Sequence, residues 1–133
     1  MRADAASARS RIVRRIVIGA GLLAVVVLVA LAANPLRWPE PAMRRWLFRK
    51  APLGTSLAEF ERVVAREHWH EDGRWRGSAP HAEWGGITGD VVVEVTIGGF
   101  RGPPFRVDVD SFWAFDRDGR LVGMTTRRTI DAL

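Results

Sequence analysis

Three histidines, His68, His70 and His81, lie near Glu71 and Asp72 in a 133-residue chain that has no cysteine. In an extended segment His68 and His70 project to the same side, as two ligands of one metal ion must. The pattern does not continue, because the turn signal Asp72-Gly73 comes at once and no second histidine pair exists. The segment reads as surface histidines, with a metal-dependent enzyme using His68 and His70 as the alternative. Asp116 and Asp118 imitate the start of a calcium loop, but Arg120 takes the fifth position and Arg127 the twelfth, where a bidentate glutamate is needed. Asp108 and Asp110 share one side of a strand and have the spacing of an acid–base pair, yet strict alternation makes that side a solvated face. No Ser-His-Asp spacing, phosphate loop or nucleophile elbow occurs, so no catalytic residue and no cofactor is assigned. The absence of cysteine excludes disulfides, thiol catalysis and a lipidated N-terminal cysteine.

Binding chemistry is better represented. Trp75 and Trp84 sit with Arg74 and Arg76 in a glycine-rich stretch, residues 73–89. Tryptophan and arginine dominate interface hot spots, so these four residues are the candidate partner-binding group. The competing reading folds the two rings over the domain's own sheet.

The elements that position these residues are set by the hydropathy pattern. Ile16 to Ala33 is an unbroken run of apolar residues and glycine. Eighteen helical residues span about 27 Å, close to a bilayer hydrocarbon core of about 30 Å. Arg14 and Arg15 flank one end, Asn34-Pro35 ends the helix, and Trp38 falls at interface depth. Arg14, Arg15 and Trp38 are therefore the membrane-interface residues. Ala30-Leu31-Ala32 also forms a signal-peptidase pattern, so a cleaved leader stands beside the retained anchor. Positive charge clusters at both ends: residues 1–15 carry +4, residues 34–50 carry +4, and residues 51–133 carry −3. The basic charge meets lipid headgroups, and the acidic remainder argues against nucleic acid. The doublet at Arg14-Arg15 sets residues 1–15 as a cytoplasmic tail and 16–33 as a single transmembrane helix of the inner membrane. A connector, 34–54, and an extracytoplasmic domain, 55–133, complete the chain.

Within the connector, Ala42–Arg49 suits a short helix, lying either on the membrane surface or on its own domain. Ser56 and Glu59 have capping-box spacing at the head of a half-buried helix over 56–68. Asp72-Gly73 suits a short hairpin of His68–Glu71 with Arg74–Arg76, with loop to residue 89. Val91, Val93, Val95 and Ile97 form one strand face. Phe105, Val107, Val109, Trp113 and Phe115 form another, and Val122, Met124 and Ile130 a third. Gly98–Pro104 and Asp116–Gly119 connect them. The fold class is α+β: an N-terminal transmembrane helix, then a short helix and a capped helix packed on a three- to four-stranded antiparallel sheet.

Pro52-Leu53-Gly54-Thr55-Ser56-Leu57 at a helix start, an aromatic-rich sheet, and Phe115-Asp116-Arg117-Asp118-Gly119-Arg120-Leu121 together resemble the BamE/SmpA/OmlA-like small lipoproteins and the related β-lactamase-inhibitor-like fold. The resemblance covers roughly residues 50–133 and lacks the lipobox cysteine. It implies a non-enzymatic binding module of the bacterial envelope. The expected partners are the lipid bilayer and another envelope protein. A structural accessory subunit of a larger membrane complex is the remaining alternative.

Overall fold

The computed structural model describes residues 2–78, 86–102 and 104–132, so His81 and Trp84 lie outside the described residues. The chain divides into two compact units, Met1–Arg37 and Trp38–Leu133.

The first unit is α1, Arg2–Ala33, followed by a 3-10 turn over Pro35–Arg37. Apolar side chains such as Ile16, Leu22 and Val29 are exposed all round α1. A helix apolar on every side needs a non-aqueous environment. Residues Arg11–Ala33 are long and apolar enough to cross a membrane. Pro35 disfavours helix in Asn34, whose side-chain Oδ1 instead accepts from the Leu36 N–H at 3.0 Å.

The second unit opens with α2, Glu40–Lys50. It carries a proline in its first turn, where no intrahelical N–H partner is lost. Met43 and Leu47, four residues apart, are buried. The helix therefore packs on its own domain rather than lying free for the membrane surface. Trp46 is committed there too, edge-on to Trp69 at 6.2 Å.

The second helix of this unit, α3 (Leu57–Arg66), has the expected capping box. Ser56 Oγ accepts from the Glu59 N–H, and the Glu59 carboxylate accepts from the Ser56 N–H at 2.9 Å. Those bonds hold the Glu59 carboxyl below its ordinary range. Phe60 and Val63 face the core. At the other end, the Trp69 N–H donates to Val64 O and the His68 N–H to Ala65 O. This is the Schellman pattern, and it requires a left-handed residue at His68, with φ 57°. A non-glycine residue there costs roughly 1–2 kcal/mol, partly offset by the greater unfolded-state freedom of glycine. His68→Gly is accordingly expected to raise stability by about 0.5–1 kcal/mol in denaturant melts. A loss would show that the imidazole makes a needed contact.

The sheet has four antiparallel strands in the order β1 (His70–Ser78), β2 (Thr88–Gly102), β3 (Phe105–Phe115) and β4 (Leu121–Ala132). Helices cover one face. There Trp113 is fully buried, with Phe60 at 4.8 Å, Trp69 at 6.2 Å and Phe48 at 6.5 Å between ring centroids. Its indole Nε1 donates to Ser111 Oγ at 2.7 Å, and that hydroxyl donates to Val95 O at 3.1 Å, so no polar atom of this pair is left without a partner.

Three expectations need correction, each because of a bulge. Asp72-Gly73 is not a hairpin turn. Asp72 is the extra residue where the register shifts between Glu71 and Gly73, and β1 runs straight through it to Ser78. Ile97 is bulged out between Thr96 and Gly98, so β2 continues to Gly102 and the connection to β3 is much shorter than Gly98–Pro104. Phe115 pairs with Leu121 but Ala114 with Gly123, which leaves Val122 as the odd residue. Val122 therefore leaves the face that Met124 and Ile130 still share. Leu121 and Met124 enter the core, while Val122 is 50% and Ile130 65% exposed. The Asp116–Gly119 turn is as expected. Gly119 has φ 70°, and Asp116 Oδ1 accepts from the N–H groups of Asp118 and Arg120.

Candidate interaction surfaces

Strand alternation divides the group Arg74, Trp75 and Arg76. Arg74 reaches α3: it bonds Glu71 at 3.0 Å and Glu61 at 2.8 Å, and these bonds raise its pKa above the ordinary guanidinium value. Trp75 lies on the opposite side, with its ring folded back over Gly73. A Cβ there would meet Trp75 Cη2 at 2.7 Å. This half-buried ring shares the helix-free face with Val92, its partner across the strand pair. Arg76 is exposed.

That face is not simply solvated. Val92, Phe112 and Ala114 form a second small apolar cluster, against which Ile87 packs. Beside it, Thr96 Oγ1 stands 2.6 Å from Asp72 Oδ2 and 2.9 Å from Asp110 Oδ1, its single proton serving one carboxylate at a time. Arg127 Nη2 donates to Asp110 Oδ2 at 2.9 Å, lies 3.9 Å from Glu94 Oε1, and its guanidinium sits 5.8 Å from the Phe112 ring centroid. Asp110 is only 8% exposed. The expected solvated pair Asp108 and Asp110 is thereby corrected. Asp110 is buried and tied to β2 and β4, whereas Asp108 pairs locally with Arg106 Nε at 3.1 Å. A carboxylate tied to an arginine and a threonine is a structural tie across the sheet rather than a free base.

Among the histidines, His68 is the helix cap. His70, 3.7 Å from Asp72, is exposed at the start of β1. Among the described residues, no group of three or more His, Asp or Glu side chains is placed to hold a metal ion.

The surface that the sequence does not reveal is an open groove of about 500 Å³ beside edge strand β4. Phe48, Leu53, Ile87, Val122 and Met124 give it apolar patches, set among the polar surfaces of Thr88, Thr125 and Arg44. Arg44 Nη2 donates to Met124 O at 3.1 Å, tying α2 to β4. The groove's end is fixed by the chain before α3. Gly54 N–H donates to Leu121 O at 2.8 Å, and the Leu121 N–H to Thr55 O at 2.9 Å. Leu53 is thus held at the rim, 62% exposed. The only signal in the sequence is an isolated leucine in the Pro52–Thr55 connection and a valine next to a hairpin turn, neither at helical or strand spacing.

Comparison with known proteins gives no match to any family model, curated protein or solved structure.

Proposed function

We propose that this chain is a non-catalytic protein-interaction module of the bacterial envelope, anchored in the inner membrane by α1 with its folded domain extracytoplasmic. The observation that carries the reading is the groove beside β4. It is a concave surface of mixed polar and apolar lining next to an edge strand, with Leu53 and Val122 presented to solvent. The outward main chain of β4 is already bonded at Leu121 and Met124, so a partner side chain seated between Leu53 and Val122 would make the contact. The resemblance of residues 50–133 to the BamE-like binding modules supports the same reading. Its two motifs, Pro52–Leu57 and Phe115–Leu121, are the segments that hydrogen-bond to each other at the groove's end. Trp75, on β1 at the other edge of the sheet, is the second contact surface under this proposal.

A photoreactive residue at Val122, irradiated in intact membranes, is expected to give one discrete protein adduct. Leu53→Asp should abolish that adduct while leaving the melting temperature nearly unchanged, since exposed positions alter stability by under about 0.5 kcal/mol. An adduct insensitive to Leu53→Asp, or none at all, would remove the groove from the account.

A further inference from the structure

The domain has a second exposed apolar surface, at the end of the sheet where the chain enters. Arg128 Nη2 donates to Trp38 O, which places Trp38 against the C-terminal half of β4. From there α2 carries the chain back along β4, past Met124 at Arg44, to Leu121 at Gly54. The entry end and the groove end are thus opposite ends of one strand. Val122 and Ile130 are eight residues apart, about 27 Å along a strand.

Apolar side chains crowd the entry end. Past the Ile97 bulge, register aligns Phe100 with Val107 and Val107 with Ile130. The next row aligns Phe105 with Ala132. Paired residues project to the same side, so these five form one continuous apolar area across three strands. Ile130 is 65% and Phe105 46% exposed. On the other side of the sheet Arg106 pairs with Asp108 and lies between Arg101 and Asp131, while on this side Arg128, two residues from Ile130, adds a positive charge.

We infer that this strip docks on the bilayer, with Ile130 and Phe105 entering the boundary between headgroups and acyl chains. The occupant is fixed by chain length. Only five peptide steps separate Ala33, the last residue of α1, from Trp38, a reach of at most about 17 Å. An apolar surface beside so short a tether is kept close to the lipid throughout the life of the protein. The inference rests on α1 being a retained anchor. The contact is led by the apolar side chains, with Arg128 on the same side placed to meet headgroup phosphates.

The chain has no cysteine, so single labels can be placed in the full-length protein. Ile130→Cys and Val122→Cys, both at exposed positions, would each carry a spin label in phosphatidylcholine vesicles. The expected result is an Ile130 label relaxed mainly by oxygen dissolved in the acyl chains and shielded from a water-soluble nickel complex, with the Val122 label showing the reverse. An Ile130 label as accessible to nickel as Val122, in protein that floats with the vesicles, overturns the docking and leaves the anchor standing. Shielding of Ile130 from both reagents also overturns it, in favour of a second copy of the chain. Failure of the protein to float with the vesicles overturns docking and anchor together.

Discussion

Trp113→Ala is expected to lower the stability of the folded unit by about 3–5 kcal/mol, the range for a buried large aromatic. The residue is fully buried, and the rings of Phe48, Phe60 and Trp69 surround it, so one substitution opens a cavity touching α2, α3 and the segment that ends α3. The change also leaves Ser111, fully buried, without its indole donor. Asp108→Asn, on the same strand, should change stability by under about 0.5 kcal/mol, because its partner Arg106 is a surface residue on the same strand. Denaturant melts of the two variants give the comparison. Equal small effects would mean that β3 is registered one residue away, since such a slip exchanges its two faces.

The second large effect is expected on the helix-free face. Asp110→Ala should cost about 2–3 kcal/mol, less than a fully buried pair because Arg127 retains some solvent access. Asp110 joins β3 to β2 through Thr96 and to β4 through Arg127, so its loss leaves a largely covered guanidinium with the more distant Glu94. A double-mutant cycle with Arg127→Met should show a coupling of at least about 1 kcal/mol, as for residues in one ion-paired network. Additive effects would show that the pair contributes nothing as a pair. The contrast between Asp108 and Asp110, identical residues two positions apart, then reports the network directly.

These two aspartates also mark where the sequence is legible. Along β3 no bulge interrupts Phe105–Ala114, and strict alternation correctly places Val109 and Trp113 in the core. The capping box of α3 and the Asp116–Gly119 turn are equally readable, because each is a local motif whose residues bond to one another. Bulges are not local in this sense. Asp72, Ile97 and Val122 are extra residues whose position depends on a neighbouring strand, and each displaces the rest of its strand by one place in the register. With the hairpin counted from Phe115 and Leu121 alone, Asp110 would face Thr126. The bulge at Val122 brings Arg127 opposite instead. The polar network and the groove both depend on that shift, which is why hydropathy alternation reveals neither. Trp75 lies on a strand, as the Arg74–Arg76 reading has it, and Gly73 leaves room for its ring; what the glycines hide is that this strand starts at His70 and runs on to Ser78.

We propose a folded module tethered outside the cytoplasm by an uncleaved α1. It is tested most directly by fusing a reporter that is active only outside the cytoplasm after Leu133 and sizing the product in the membrane fraction. An active reporter on a full-length, membrane-bound chain is the expected result. A shortened soluble product beginning near Ala33, or a reporter active only in its cytoplasmic form, would contradict it.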